Sequence, residues 1–313
     1  MDNIVLTLLS TPKVGKKTAR YFIENIVDTP KNEIEILEIF NELKNYNKRI
    51  IIPSIEDIKL GIERKNEIIR LSNKQDINMI DILDNKFPLK LKYIDDAPII
   101  LFYKGNYNSV INDKSIAVVG SRKAGKECLE LSYNIAKYFA REGYTIVSGL
   151  ANGCDEYAHK GCLETKGNTV AVLGSGLDNI YPKRNIKLAE NIVNNNNGCL
   201  ISEYPIGTKS FKQNFIERDR IQSGLSSAIL VVEANLDSGT MHTVNFAKKQ
   251  GRLIACCNIN ASGNRKLIEE SNCILMDNIN QIRKLIIQME KVNEDLKCIK
   301  NIRKNYTQEK FKI

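Results

Sequence analysis

Beyond Asn112 the chain repeats one pattern six times: a short apolar run rich in β-branched residues, then a stretch with helical periodicity. The runs occupy residues 115–119, 144–147, 169–173, 199–202, 228–232 and 252–256. A strand that is apolar at nearly every position has no face to offer water, so both of its faces must be covered. Helices between successive strands supply that cover. The pattern therefore predicts an α/β fold, a doubly wound and mostly parallel Rossmann-like sheet. After the first run, Cys128, Leu131, Ile135, Tyr138 and Phe139 form one helical stripe, and Gly143 stands where a helix C-terminal glycine belongs.

Residues 1–80 read differently, as short amphipathic helices separated by polar breaks. Pro12 and Gly15 mark a turn, and Ala19, Phe22, Ile23 and Ile26 follow at helical spacing. Lys13, Lys16 and Lys17 at this hairpin suit either a phosphate contact or a solvated loop on a packing module, and the second is the simpler reading. From Phe87 the chain reads as an extended segment shaped by Pro88 and Pro98, then an apolar edge strand ending near Gly105. The expected organisation is a helical domain over 1–80, a Rossmann-like domain over 81–280 and a basic helical tail over 281–313. From residue 282 onward that tail holds nine Lys and Arg against four Asp and Glu, which reads as a solvated helix.

In a doubly wound sheet, ligands gather outside the C-terminal ends of the strands. Four of the turns expected there carry glycine. They are Gly120-Ser121-Arg122-Lys123, Ser148-Gly149 running to Gly153 and Asp155, Gly174-Ser175-Gly176 running on to Lys183, and Ser238-Gly239-Thr240. Glycine lets a backbone approach an anion closely, and helix N-terminal amides add positive potential. With Arg122, Lys123 and Lys183 beside them, these turns predict one electropositive phosphate site. Neither the dinucleotide-binding pattern GxGxxG nor the nucleotide-binding pattern GxxxxGK[ST] occurs.

A further segment interleaves Phe211 and Phe215 with Lys212, Asn214, Arg218 and Arg220. Rings that accept unstacked bases, set among cations that neutralise a backbone, suit a single-stranded nucleic acid. Core burial and base contact account for Phe215 equally well. The 46 Lys and Arg against 37 Asp and Glu give a formal charge of +9, which favours a polyanionic partner. No run approaches the ~18–20 apolar residues that span a bilayer. At the N-terminus lysines follow the apolar stretch, the reverse of a secretory signal. Eight scattered cysteines without a CxxC pair fit a reducing cytoplasm. Cys154, His159 and Cys162 lack an evident fourth ligand, so neither a metal nor another cofactor is expected.

Phe87-Pro88-Leu89, Val119 to Arg122, Val147 to Asp155, Ala158-His159, Val172 to Asp178, Ile180 to Lys183, Ser202 to Pro205 and Phe215 to Leu225 follow one another in a telling order. Over about residues 85–275 this order resembles the DNA-processing protein A (DprA, or Smf) family. The resemblance implies a cytoplasmic, non-enzymatic protein that binds single-stranded DNA, forms a homodimer and loads the RecA recombinase during natural transformation. It further implies that Gly120, Ser121 and Arg122 hold a backbone phosphate, that Lys183 is a second cationic contact, and that residues 212–220 line the path of the strand. The N-terminal helices resemble the family's small domain of SAM or helix-hairpin-helix type. There are departures. Arg218-Asp219-Arg220 stands where the family reads Arg-Asn-Arg, Cys256-Cys257-Asn258 replaces Val-Pro-Gly, and the tail is short for the winged-helix domain of many members.

Two alternatives share the fold: a nucleotide hydrolase and a nucleotide-binding sensor. The related hydrolases follow a glycine turn with a catalytic Glu, whereas here Gly239-Thr240 is followed by Met241-His242-Thr243. A sensor for an isolated nucleotide would have no use for the track from Phe211 to Arg220.

Overall fold

The structure is a computed structural model that describes residues 3–310 except 271, with side chains described as far as 295. The chain forms two compact units, one comprising residues up to Asn85 plus Ile99–Phe102, the other Lys86–Pro98 plus the chain from Tyr103 onward.

The smaller unit contains helices α1 (Ile4–Ser10), α2 (Lys16–Asn25), α3 (Glu33–Tyr46) and α4 (Ile55–Asn73), then strand β1 (Asn78–Asp81). Leu8, Phe22, Phe40 and Ile58 are fully buried, and the Phe22 and Phe40 rings lie 4.9 Å apart. A capping box starts α4: Ser54 Oγ accepts from Asp57 N and Asp57 Oδ2 accepts from Ser54 N. Lys13, at the α1–α2 turn, pairs with that same Asp57 at 2.7 Å. The turn lysine of the hairpin thus braces the first turn of α4.

The larger unit begins with a short helix, α5 (Leu89–Lys92), where the prolines suggested extended chain. Lys90 is buried there, its ammonium donating to Asp113 O and Ser115 Oγ. That anchorage, invisible to local propensity, fixes the turn. Strand β2 (Ile100–Gly105) follows where a strand is expected, but it is an inner strand of the sheet order and not an edge. Strands and helices then alternate: β3 (Ser115–Val119), α6 (Lys126–Arg141), β4 (Thr145–Ser148), α7 (Cys154–Glu164), β5 (Thr169–Leu173), α8 (Ile186–Asn194), β6 (Gly198–Ser202) and α9 (Lys212–Leu225). They continue with β7 (Ala228–Val231), α10 (Thr240–Lys249), β8 (Leu253–Cys257), α11 (Ser262–Glu269), β9 (Cys273–Met276) and α12 (Ile279–Lys310).

From β3 onward the strands lie in the order β6-β5-β4-β3-β7-β8-β9, and every neighbouring pair is parallel. The doubly wound Rossmann-like sheet is therefore present, with β9 added beyond the six expected strands. Winding runs one way from β3 to β6, then resumes on the other side of β3 with β7. Right-handed crossovers consequently place α6, α7 and α8 on one face and α9, α10 and α11 on the other.

On the first face Phe139, Tyr144, Ala158, Cys162, Leu230, Leu285 and Met289 share one core. Leu285 and Met289 belong to α12, so up to residue 295 the reading of this segment as a solvated basic helix holds only for its outer side, and the rest of the tail's side chains lie outside the described residues. Cys154, His159 and Cys162 are all fully buried. His159 Nδ1 meets Thr169 Oγ1 at 2.8 Å, Cys162 Sγ donates to Asn168 O, and burial lowers the His159 pKa to about 3. These three side chains pack helix α7 onto the sheet.

Phe139 stands edge-on to Tyr138 and Tyr144, both at 5.7 Å. Phe139→Ala should destabilise the larger unit by about 3–5 kcal/mol, the usual cost of deleting a buried phenyl group. A urea titration followed by circular dichroism checks it through a lowered midpoint.

Candidate nucleic-acid interface

The strand order reverses between β3 and β7, and the crevice outside their C-terminal ends is where a doubly wound fold opens. A cleft of about 560 Å3 lies there. Its walls come from residues 120–123 after β3, the start of α7, the first turns of α9, and the turn between β7 and α10.

One buried cation organises the walls. Arg218, on α9 and 3% exposed, donates through Nη1 to Val172 O at 3.0 Å and lies 3.4 Å from Asp219. A Cβ on Gly149 would collide with this guanidinium. Asp155 then ties the same loop to α7 by accepting from Gly149 N and Ala151 N. Asn185 holds the loop from the other side through Leu150 O at 2.9 Å.

The glycines divide by what occupies their missing side chain. A Cβ on Gly120 would meet Cys154, one on Gly153 would meet Ser121 O, one on Gly174 would meet Phe215, and one on Gly176 would meet Asp178 and Pro205. Gly153 also has φ +81°, a conformation that favours glycine. These residues let loops pack on loops. Gly239 differs, with open space beside it, and so leaves backbone accessible on the cleft wall.

Of the residues the sequence singles out, Gly120, Ser121, Arg122, Lys123, Asp155, Lys212, Phe215, Arg218, Ser238, Gly239 and Thr240 all line the cleft. Ser121 Oγ accepts from Lys123 N and holds that turn. Arg122 is exposed, with its guanidinium 5.8 Å from the Phe215 ring centroid. Ser148 is buried and donates to Val118 O. Gly149, Gly153, Gly174 and Gly176 serve the packing just described. Ser175 Oγ donates to Asn179 O, and Asn214 Nδ2 reaches Lys209 O. Arg220 is buried, bonded to Glu203 at 2.6 Å and 3.5 Å from Asp96. Lys183 is exposed, outside the cleft lining.

Other contributors were not among the expected contacts, although Asp219 stood out as a departure from Arg-Asn-Arg. Ile216, Asp219, Gln222, Glu233, Asn235, Asp237 and Thr243 also line the cleft. Tyr181, exposed on the β5–α8 loop, lies 5.5 Å from Phe215 between ring centroids.

The cleft lining holds four cations, Arg122, Lys123, Lys212 and Arg218, against four carboxyls, Asp155, Asp219, Glu233 and Asp237. Burial pushes Asp219 up to about 7, while Arg218 opposes that shift and Asp155 adds to it. Burial raises Asp155 as well, with Arg218 opposing. Two buried carboxyls thus share one buried guanidinium.

The family model described as "DNA recombination-mediator protein A" matches residues 78–287. The chain belongs to this family. It is 36% identical over 185 residues to DNA processing protein DprA of Bacillus subtilis, covering 59% of this chain and 62% of that relative, which is less than two thirds of its length. Against DprA of Streptococcus pneumoniae it is 34% identical over 245 residues, covering 75% of this chain and 86% of the relative. The crystal structure of DprA from Streptococcus pneumoniae superposes with a TM-score of 0.65 at 30% identity, over 87% of this chain and 98% of that one. DNA processing protein A from Helicobacter pylori, solved for insight into its single-stranded DNA binding mode, shares the fold at a TM-score of 0.61 and 24% identity, over 68% of this chain and 96% of that one.

Asp219 sets a pH window. From about 4, where an unfolded Asp releases its proton, up to about 7 the folded chain retains it. The stability this group contributes is present in full below about 4 and is lost as pH rises through 7. Asp219→Asn should remove that part of the slope, on the order of a few kcal/mol across the window, while Asp155 keeps its share. Denaturant midpoints of both proteins at several pH values check this, and parallel curves would refute it.

Proposed function

We propose that this chain binds single-stranded DNA in the cleft and passes it to the RecA recombinase, acting as a homodimer in the cytoplasm by binding rather than by catalysis. The observation that carries the reading is Arg122 beside the Phe215 ring at the cleft wall. A cation for a phosphodiester and a ring face for an unstacked base then sit side by side, a combination that suits a single strand. Lys123, Lys212 and the open backbone at Gly239 extend the phosphate-binding surface. The names of the relatives support the same assignment, since they are DNA-processing proteins and one was solved for its single-stranded DNA binding mode.

Binding rather than chemistry accords with how the cleft carboxyls are used. Asp155 accepts from two backbone amides, and Asp219 sits against Arg218. Lys183, exposed beyond the cleft, extends the cationic track along the strand.

Oligo-dT should bind in preference to duplex of equal length, with affinity falling steeply as salt rises. Arg122→Ala should weaken binding and reduce the slope of log affinity against log salt by about 0.7, the value for one phosphate contact on a single strand. Lys183→Ala should act in the same direction. A fluorescence-anisotropy titration with nucleoside triphosphates as competitors decides the matter. Equal affinity for duplex, or full displacement by a mononucleotide, would overturn the reading.

A further inference from the structure

Arg122 and Lys183 stand on different loops, and aromatic side chains link those loops. Phe215 lies next to the Arg122 guanidinium at 5.8 Å, and the Tyr181 ring lies 5.5 Å from Phe215 at an interplanar angle of 43°. Tyr181 is 51% exposed and stands two residues before Lys183 on the loop between β5 and α8. Arg122, Phe215 and Tyr181 thus form a chain of neighbours from the phosphate cleft to the loop that carries the outlying lysine.

The loop bearing Tyr181 is held on both sides. Before the ring, Ser175 Oγ donates to Asn179 O at 2.7 Å and Asp178 accepts from Gly207 N at 3.0 Å. After it, buried Asn185 donates to Leu150 O at 2.9 Å. A half-exposed ring on a fixed loop loses little freedom when something stacks on it. A mononucleotide seated beside Arg122 would use Phe215 and leave Tyr181 idle. A polymer would use both.

We infer that Tyr181 is a second base-stacking platform, taking the base next to the one on Phe215 and leading the strand out of the cleft toward Lys183. The inference rests on the single-stranded DNA reading and deepens it. Stacking uses the π face that every base presents, so this platform adds affinity without sequence preference. It also accounts for an exposed aromatic residue that lies outside the cleft lining.

The chain contains no tryptophan, so Tyr181→Trp supplies a sole indole reporter at the platform. Its fluorescence should be quenched by oligo-dT and unchanged by an abasic strand of equal length. Tyr181→Ala should lose about tenfold in affinity for oligo-dT, the order expected for one stacked base. Its affinity for the abasic strand should be unaltered, as should its salt slope, because no phosphate contact is removed. Tyr181→Phe should bind as the parent does, since the ring face is retained.

Parental affinity of Tyr181→Ala for oligo-dT would overturn the assignment. So would an equal loss on both strands accompanied by a lower melting temperature, which would mean that the ring merely braces Phe215. An indole left unquenched while Tyr181→Trp binds oligo-dT would do the same. If the parent protein bound neither strand, the single-strand reading itself would fail and this inference with it.

Discussion

The cleft is built around a buried arginine. Burying a guanidinium costs several kcal/mol unless charge and hydrogen bonds compensate it. Arg218 obtains that compensation from the end of β5 through Val172 O and from the carboxyl of Asp219 beside it, with the Asp155 carboxyl adding attraction. It fits only because Gly149 has no side chain. Asp155 completes the knot by fixing the amides of that same loop. Helix α9 is thereby pinned across the C-terminal ends of β4 and β5, and its outer face presents Lys212 and Phe215 to the opening. The ligand-facing groups are exposed because the groups beneath them are already paired.

How much of this could be read from the amino-acid sequence depends on whether the signal is periodic or pairwise. The sheet was legible, because a strand covered on both faces must be apolar along its length. Strand β9 was not, since Cys273-Ile274-Leu275-Met276 holds one β-branched residue. Helix α9 misled for a related reason. Every residue from 218 to 225 is buried, and beside Ile221 and Leu225 these include Arg218, Asp219, Arg220, Gln222 and Ser223, which in composition look like a solvated surface. Only the partners Val172, Glu203 and Asp96 show why the arginines are buried. The two arginines counted as part of a basic track turn out to be support, one under the cleft and the other on Glu203.

The glycines carry the same lesson. Their turns stand at the end of the sheet where the cleft opens, yet of the six only Gly120 and Gly239 line it, and what each one does depends on its neighbours. Gly120, Gly149, Gly153, Gly174 and Gly176 admit Cys154, Arg218, Ser121, Phe215 and Pro205 respectively. Gly239 admits nothing from the protein and so leaves room for a ligand. Tyr181 fell within the Ile180 to Lys183 motif, yet one ring in a loop has no periodicity to reveal its role. Its neighbour Phe215, equally suited on sequence to core or to base, is half-buried: one ring edge packs over Gly174 while Arg122 and Tyr181 flank it.

Charge acts at two ranges in this protein. The formal excess of +9 draws a polyanion from a distance, but it is screened beyond roughly 8–10 Å at physiological salt. Within the cleft the formal charges balance, so attraction there depends on arrangement. Arg122, Lys123 and Lys212 are exposed, while Asp155 and Asp219 are buried beneath them. Asp237 is exposed in the lining as well and Glu233 is half-buried, so the mouth itself carries charges of both signs. Burial pushes the Asp219 carboxyl up to about 7, so a proton on it would leave the Arg218 charge less compensated. The same burial that holds Arg218 against Val172 O therefore also raises the two carboxyls beside it, and one knot sets both the support and the charge of the cleft floor.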